Sequence, residues 1–249
     1  MRHFVITGAG SGIGRAIAHR LYREGCALTL LGRRLDALKE TAQAMETERV
    51  QLHSCDIQDA ARTQNICAQV VQTLGPIDGV VANAGIGGPN EPGENDRFLE
   101  IVQTNLIGTY HTIRAVQPHI RNGNIGHIIV ISSCLARFGV PGYSGYCASK
   151  AGLLGMVRAL AHELAPSVQI NAICPGWVDT QMARDGISGM AKGMGITYEE
   201  AYAQAMSLVP LGRMSKPKEI AGTVSWLLSE DAFGMTGQGI DINAGSWMG

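Results

Sequence analysis

The chain has 249 residues, of which 45% are hydrophobic and 16% are charged, and its formal net charge is −1. This length suits one large α/β domain or two small ones, and the apolar fraction is ample for a core. The sequence has no dense run of lysine and arginine for a nucleic acid or an anionic membrane to bind, and no apolar run reaches the ~18 residues of a membrane span.

Seven short apolar runs are predicted to be strands. They are HFVIT (3–7), CALTLLG (26–32), VQLHSCD (50–56), IDGVVANAG (77–85), GHIIVISS (126–133), VQINAICPG (168–176) and GQGIDIN (237–243). Pieces such as GVVA and IIVI are continuously apolar rather than alternating. That pattern is typical of strands buried on both faces of a parallel sheet.

Stretches with apolar residues at helical spacing separate these runs. They cover 13–25, a stretch beginning near Asp36, and residues 60–74, 96–117, 146–165, 198–207 and 217–229. The alternation predicts a single α/β domain over 1–249, a Rossmann-type doubly wound parallel sheet of about seven strands with helices on both faces. Residues 177–197, rich in glycine and methionine, are predicted to be irregular, and a substrate lid is expected near 177–215.

The segment TGAGSGIG (7–14) joins the first strand to the first helix. Glycines there would let the backbone approach a pyrophosphate, which the free N–H groups and the dipole of the helix N-terminus favour. The spacing is not the common G-x-G-x-x-G, and no G-K-[ST] follows as it would in a P-loop. A merely tight turn is the alternative, but the position at the first strand–helix junction favours a cofactor.

The pentapeptide YCASK (146–150) places a tyrosine four residues before a lysine. On a helix the two side chains would share one face. A free phenol titrates near ~10 and a free lysine near ~10.4, so neither suits chemistry at neutral pH unless each acts on the other. The pair alone is suggestive, and Lys150 could also be a solvated charge.

Five features follow one another in order along the chain: TGAGSGIG, the tripeptide Asn83–Ala84–Gly85, a serine 13 residues before Tyr146, YCASK, and Pro175–Gly176. Together they resemble the short-chain dehydrogenase/reductase family over essentially the whole chain. The resemblance implies a nicotinamide-dependent oxidoreductase that interconverts a secondary alcohol and a ketone.

The resemblance implies four catalytic residues, which are Asn105, Ser133, Tyr146 and Lys150. Tyr146 would exchange the proton and Ser133 would hydrogen-bond the same substrate oxygen. Lys150 and an oxidised nicotinamide, both positive, are expected to lower the pKa of Tyr146. Lys150 would also reach the ribose hydroxyls, and Asn105 would position a water that links the lysine to solvent. Alternatively, Ser133 is only a strand-end hydroxyl and Asn105 a polar residue inside a helix.

Tyr143 competes with Tyr146 for the catalytic role, but the residue four positions after it is Cys147. Tyr143 is therefore expected to line the substrate pocket together with Ser133 and Tyr146. The residues that the resemblance assigns to the cofactor are Gly8, Ser11, Gly12, Ile13, Gly14, Asp56, Ile57, Asn83, Ala84, Gly85, Tyr146, Lys150, Pro175, Gly176, Val178 and Thr180. Among these, Asp56 and Ile57 match positions flanking the adenine, and Val178 and Thr180 match positions meeting the nicotinamide carboxamide.

The end of the second predicted strand bears on the choice of cofactor. Gly32 stands where an NAD-preferring site usually has a carboxylate, and Arg33 and Arg34 follow it. A guanidinium can pair with a 2′-phosphate, which favours NADP(H). NAD(H) remains the alternative, because Ser11 stands where many NADP-using relatives have a basic residue and both arginines could be solvated.

The substrate is left open by the sequence. Five methionines in or after the lid could form an adaptable apolar pocket or simply pack the lid onto the core; they are Met182, Met190, Met194, Met206 and Met214. The segment TYEEAYAQAMSLVPLGRM (197–214) resembles 3-oxoacyl and polyketide ketoreductases, but also many secondary-alcohol dehydrogenases. The first hypothesis is an NADP(H)-linked reductase of an apolar ketone or a 3-oxoacyl thioester. The second is an NAD-linked alcohol or hydroxyacid dehydrogenase, and the third is a non-catalytic dinucleotide sensor.

The six cysteines show no CxxC pair and no metal-spaced histidines; they are Cys26, Cys55, Cys67, Cys134, Cys147 and Cys174. They are interpreted as reduced thiols of a cytoplasmic protein with no metal site and no signal peptide. The low charged fraction and the family resemblance together predict a homotetramer, with a small molecule as the other partner.

Overall fold

The seven apolar runs form one parallel sheet in a computed structural model that describes all 249 residues. The strands are β1 (His3–Thr7), β2 (Ala27–Gly32), β3 (Val50–Ser54), β4 (Gly79–Ala82), β5 (Gly126–Ile131), β6 (Val168–Pro175) and β7 (Gly239–Ile242). Their order across the sheet is β3-β2-β1-β4-β5-β6-β7, and every neighbouring pair is parallel. The predicted fold class is confirmed.

Helices cover both faces of this sheet. They are α1 (Gly12–Arg23), α2 (Leu35–Ala42), α3 (Ala60–Leu74), α4 (Phe98–Val102), α5 (Gly108–Val116), α6 (Ser144–Leu164), α7 (Gln181–Met194), α8 (Tyr198–Ser207) and α9 (Pro217–Leu227). A π-helical turn (Gln103–Ile107) joins α4 to α5. None of the helices combines the length and the apolar character that crossing a membrane requires.

Alternate residues of each strand pack on opposite faces. Val80 belongs to a cluster of 24 buried residues and the next residue, Val81, to a separate cluster of 22. Both side chains are fully buried, which explains why the strands are apolar at every position rather than at every second one.

The prediction that 177–197 is irregular is wrong, because α7 occupies most of it. Its glycines lower helix propensity, but Ala183, Ile187 and Ala191 recur at four-residue spacing. They form a third cluster of 8 buried residues that includes Met206 of α8. Tertiary packing of this apolar stripe outweighs the local preference of glycine.

The order of the strands determines where a ligand can bind. The chain runs outward from β1 through β2 to β3 and then returns to place β4 on the other side of β1. The loops after β1 and β4 therefore leave the sheet in opposite directions and open a crevice at the carboxyl ends of these strands. The glycine segment and Asn83–Ala84–Gly85 lie on the two sides of that crevice.

Candidate functional site

The loop between β1 and α1 adopts a conformation that requires glycine. Gly8 and Gly12 have φ values of 65° and 51°, which favour a residue without a Cβ. A Cβ on Gly14 would lie 2.3 Å from the carbonyl oxygen of Gly8. Only glycine fits at these positions. Without side chains in the way, the backbone of the loop and the first turn of α1 form an open cradle. Such a cradle fits the pyrophosphate of a dinucleotide.

Side chains from two neighbouring strands tie this loop to the loop after β4. The Thr7 hydroxyl accepts hydrogen bonds from the backbone N–H groups of Asn83 and Ala84, both at 3.0 Å. The Asn83 amide donates to the carbonyl of Thr7 at 3.0 Å and to that of Gly8 at 3.3 Å. The two sides of the crevice are therefore held as one rigid unit.

The two serines at the end of β5 have different environments. The Ser132 hydroxyl donates to the backbone carbonyl of Lys150 at 2.9 Å and so anchors α6. Ser133, 8% exposed, lies beside the Tyr146 hydroxyl and lowers the pKa of that phenol. The structure thus brings Ser133, and not Ser132, next to the tyrosine.

Tyr146 and Lys150 lie on one face of α6. The Lys150 Nζ is 5.6 Å from the centroid of the Tyr146 ring and donates a hydrogen bond to the carbonyl oxygen of Ile131 at 2.9 Å. Lys150 is 5% exposed, and burial lowers its pKa from 10.5 to about 8. At pH 7 it still carries its positive charge.

The chain's own residues do not lower the pKa of Tyr146. Burial raises it to about 12, and this desolvation outweighs the opposing effect of Ser133. The depression expected from the sequence also requires the positive charge of an oxidised nicotinamide and stays a prediction, because the chain's own residues stabilise a phenolate less than burial disfavours it. At neutral pH Tyr146 is a protonated phenol and hence a proton donor.

Asn105 lies in the π-helical turn and is fully buried. Its Oδ1 accepts from the N–H of Ile86 at 2.8 Å, and its Nδ2 donates to the carbonyl of Ile86 at 2.9 Å and to the Ser149 hydroxyl at 3.2 Å. A Cβ on Gly85 would lie 3.0 Å from Asn105 Oδ1 and 3.6 Å from Lys150 Nζ. Asn105 therefore joins the loop after β4 to α6 beside the lysine. π-Helical turns of this kind occur frequently at functional sites.

The arginines after β2 are exposed to solvent. Neither Arg33 nor Arg34 forms an ion pair with a carboxylate of the chain, although Arg34 occupies the N-cap position of α2. At the N-terminus of α1, the Ser11 hydroxyl makes no capping bond to its own helix. These groups remain available to an anionic ligand.

The other residues assigned by resemblance differ in what they can offer. Ile57 is buried against α5, where a Cβ on Gly108 would lie 2.8 Å from its Cγ1, so only its backbone could face an adenine beside the half-buried Asp56. Ile13 packs on the core from α1. Tyr143 is half-buried at the N-cap position of α6, and burial raises its pKa.

The segment after β6 crosses to the glycine loop. The Cγ2 of Thr180 lies 3.0 Å from the position of a Cβ on Gly12. Val178 is buried and pairs with Ser215 in an isolated parallel bridge. Pro175 ends β6, and a Cβ on Gly176 would lie 2.8 Å from the carbonyl oxygen of Asn243, so this glycine also permits close packing against the end of β7. The start of α7 therefore covers the crevice from the β6 side.

The methionines of the expected lid divide into two groups. Met206 and Met214 are buried with α7 and α8, and Met190 packs partly against them. Met182 is 47% exposed and Met194 is 54% exposed. Part of this set therefore packs α7 and α8 together. Met182 reaches the loop after β4, since its Sδ lies 2.9 Å from the position of a Cβ on Gly87.

Sequence reasoning missed two residues that shape the glycine loop. In the sequence Thr7 is only the first letter of the glycine motif, whereas in the structure its hydroxyl accepts two backbone hydrogen bonds. Arg15 donates to the carbonyl of Gly10 at 2.6 Å and to the Thr41 hydroxyl at 3.0 Å, and that hydroxyl in turn donates to the carbonyl of Ala9 at 2.9 Å. The only sequence signal for Arg15 is its place within the first turn of the helix.

The chemistry of the cluster follows from this geometry. A hydroxyl and a protonated phenol lie side by side, with a buried ammonium below the phenol. Both can donate a hydrogen bond to a single oxygen, and the phenol can also give up a proton. The arrangement suits proton transfer to a carbonyl oxygen at the mouth of a dinucleotide cradle.

Comparisons with known proteins agree with this geometry. Residues 8–246 match a family model described as enoyl-(acyl carrier protein) reductase. A putative ketoacyl reductase from Streptomyces coelicolor is 32% identical, covering 97% of this chain and 95% of the relative. A 3-oxoacyl-[acyl-carrier-protein] reductase from Thermotoga maritima is also 32% identical, covering 97% of this chain and 96% of the relative. Among solved structures, a variant of actinorhodin polyketide ketoreductase with NADPH has a TM-score of 0.91 at 32% identity, covering 98% of this chain and 97% of that one.

Proposed function

The chain belongs to the short-chain dehydrogenase/reductase family, and from this premise we propose that it reduces an apolar ketone or a 3-oxoacyl thioester with NADPH. It is a nicotinamide-dependent oxidoreductase acting on keto and hydroxyl groups. The proposal adds the cofactor, the substrate class and the direction of the reaction.

One observation carries the direction. The Tyr146 phenol, with its pKa raised to about 12 and Ser133 beside it, is protonated throughout the neutral range. A ketone requires a proton on its oxygen when it is reduced, and a protonated phenol can supply it at once. Oxidation of an alcohol requires the phenolate, which burial disfavours. The protonated phenol therefore supports reduction as the proposed direction.

Each residue of the cluster has one role. Ser133 and Tyr146 hold the carbonyl oxygen, and Tyr146 donates its proton to that oxygen as negative charge develops there. Lys150 supplies a positive charge that stabilises the resulting phenolate until it is reprotonated. Asn105 holds Ile86 and Ser149 around the lysine, and the family resemblance adds a water that connects Lys150 to solvent. The nicotinamide supplies the hydride when it is bound.

The chain's residues fit a dinucleotide phosphorylated at the adenosine ribose. The cradle formed by Gly8, Gly12 and Gly14 receives the pyrophosphate. Arg33 and Arg34 have no carboxylate partner of their own, and Gly32 adds no negative charge beside them. Guanidinium groups that are free of internal pairs suit a 2′-phosphate, which supports NADP(H) over NAD(H).

The surroundings of the cluster support an apolar substrate. Tyr143 lies at the start of α6, and Met182 lies over Gly87 at the start of α7. These side chains offer apolar contact on the open side of the crevice, with the region near 177–215 as the lid. A ketone carried on a thioester could extend past them into solvent.

A cytoplasmic homotetramer completes the proposal. Leu99 is 78% exposed, and Ile107 and Tyr110 are 36% and 40% exposed on the same helical stretch. An apolar surface of this kind suits contact with further subunits. Six free thiols, five of them buried, suit a reducing compartment. Sedimentation of the purified chain as a monomer at micromolar concentration would refute the tetramer.

A steady-state comparison tests the proposed function. Wild type and Tyr146→Phe are assayed with NADPH and NADH on 3-oxoacyl thioesters, simple ketones and enoyl thioesters, and NADPH binding is titrated separately. We expect reduction of a 3-oxoacyl thioester or ketone with NADPH, and a loss of about 10²-fold or more in kcat for Tyr146→Phe with binding retained. A Tyr146→Phe variant that turns over normally, or reduction of enoyl thioesters alone, would overturn the proposal.

A further inference from the structure

The helix that carries Tyr146 and Lys150 begins without a cap of its own. Tyr143 occupies the N-cap position of α6, and its side chain makes no bond to the helix. The first turn of a helix leaves backbone N–H groups that need partners. One of them is satisfied from outside: the N–H of Gly145 donates to Oδ1 of Asn90, in the loop between β4 and α4, at 2.8 Å.

Asn90 is itself firmly held. It is 7% exposed, and its backbone N–H donates to the carbonyl of Gly142 at 2.8 Å. Its Nδ2 donates to Asp96 Oδ1 at 3.2 Å and to the Ser144 hydroxyl at 3.1 Å. Asn90 therefore contacts three of the four residues that precede Tyr146.

The packing around these bonds leaves little room for movement. A Cβ on Gly145 would lie 3.1 Å from the Cα of Phe98, so the starts of α4 and α6 meet closely. Four residues beyond Tyr146, the Ser132 hydroxyl holds the carbonyl of Lys150 at 2.9 Å. The Asn90 bond and the Ser132 bond thus fix α6 on the two sides of Tyr146.

We propose that Asn90 is a positioning residue for Tyr146, because its amide fixes the first turn of α6 where the phenol meets Ser133. The inference rests on the proposed function, which assigns proton transfer to Tyr146. Displacement of a reacting group by about 1 Å can cost ~10²-fold in rate. We therefore expect Asn90→Ala to lower kcat by about 10- to 100-fold, with the Kd for NADPH and the KM of the ketone nearly unchanged.

A charge swap tests the role of the bond directly. Asn90→Asp keeps an acceptor for Gly145 but places a carboxylate against Asp96, and should lower kcat. In the double variant Asn90→Asp with Asp96→Asn, the acceptor for Gly145 is kept and the repulsion between the two carboxylates is removed. The Asp96 oxygen that accepts from the N–H of Phe98 at 2.9 Å is retained as an amide oxygen. We expect the double variant to recover kcat to within about threefold of wild type.

Asp59→Ala serves as the matched control. Asp59 caps α3 through a 2.9 Å bond from the N–H of Arg62, so its loss should lower Tm without lowering kcat at saturating NADPH. Hydrogen–deuterium exchange of residues 143–149, measured without cofactor, should increase in Asn90→Ala and not in Asp59→Ala.

Two results would overturn the inference. The first is an Asn90→Ala variant whose Tm falls as much as that of Asp59→Ala but whose kcat is unchanged, while Tyr146→Phe is inactive. The other is a double variant no more active than Asn90→Asp, a comparison that does not depend on the folding of Asn90→Ala. A fully active Tyr146→Phe would instead overturn the proposed function.

Discussion

The ammonium of Lys150 donates a hydrogen bond to the carbonyl oxygen of Ile131 across 2.9 Å, and both residues are buried. This bond orients a positive charge whose pKa has been lowered from 10.5 to about 8. At pH 7 the chain must bury that charge when it folds, which costs about 3 kcal/mol at ~1.36 kcal/mol per pH unit. The folded state is therefore less stable than it would be without this charge, but it holds an ammonium group next to Tyr146.

Lys150→Met is therefore expected to inactivate the enzyme and to stabilise the fold. Relief of the buried charge is partly offset because the carbonyl of Ile131 loses its donor, so we expect a gain of about 1–2 kcal/mol in the free energy of unfolding at pH 7. As the pH rises from about 8 toward 10.5, the unfolded chain holds the lysine proton more tightly than the folded one, so wild type gains stability there and the variant does not. Urea unfolding at pH 7 and pH 9.5 measures both effects, and a variant less stable than wild type at pH 7 would contradict the prediction.

The glycine cradle gives a prediction about binding. Gly14→Ala would place a methyl group 2.3 Å from the carbonyl oxygen of Gly8, so the backbone of the loop must move. We expect a loss of at least about tenfold in dinucleotide affinity, measured by fluorescence titration. Gly222→Ala in α9, where a Cβ meets nothing within 4 Å, is the matched control and should bind normally while gaining up to ~1 kcal/mol of stability. Equal affinity in the two variants would argue against the cradle.

The choice between NADPH and NADH depends on Arg33 and Arg34. Arg33→Ala should weaken NADPH by about 10- to 100-fold, since a hydrogen bond to a charged group contributes ~1.5–3 kcal/mol, and should leave NADH unchanged. Arg23→Ala, which removes another exposed arginine without an ion pair, should change neither affinity. An unaltered NADPH/NADH ratio in both Arg33→Ala and Arg34→Ala would remove the basis for NADP(H).

Protonation of His127 is expected to lower the stability of the fold at acid pH. It is 5% exposed on β5 against the Phe233 ring, and burial, helped by Arg2 and opposed by Asp78, lowers its pKa from 6.5 to about 4. Above pH 6.5 it is neutral in both states and contributes nothing. As the pH falls from 6.5 to 4, the unfolded chain takes up the proton first, so up to about 3 kcal/mol of stability is lost.

His127→Leu should therefore unfold less readily than wild type as the pH is lowered. Its free energy of unfolding should change less between pH 7 and pH 4.5, and Gln in place of the exposed His162 should not flatten the profile. Thermal or urea unfolding at several pH values measures the slope. Parallel slopes for His127→Leu and wild type would show that other groups set the acid limit.

The strands could be located from the sequence because burial on both faces leaves a local signature. GVVA and IIVI are apolar at every position, and β4 and β5 lie inside the predicted runs. The same reasoning failed for α7, where glycines suggest an irregular segment and only the packing of Ile187 against α8 explains the helix. Local composition is informative where it agrees with the tertiary contacts.

The members of the candidate catalytic cluster could be named from the sequence to a similar extent. Ser133, Tyr146 and Lys150 have a fixed spacing, and the structure brings them together. The pKa of Tyr146 could not be foreseen, because it depends on how deeply the phenol is buried. Asn90 carries no motif, and its bond to Gly145 spans 55 positions of the chain. Contacts between residues so far apart in the sequence produce no periodic pattern from which they could be predicted.

Because of the π-helical turn at Gln103–Ile107, the position of Asn105 depends on the number of residues in this segment as well as on their identity. Deleting one residue from that turn would restore regular α-helical bonding, and a single residue corresponds to about 100° of rotation around the helix axis. The Asn105 amide would swing away from Ser149 and Ile86 although no amino acid had been exchanged there. A mutational scan restricted to substitutions would overlook this dependence, whereas a scan of single-codon deletions would expose it.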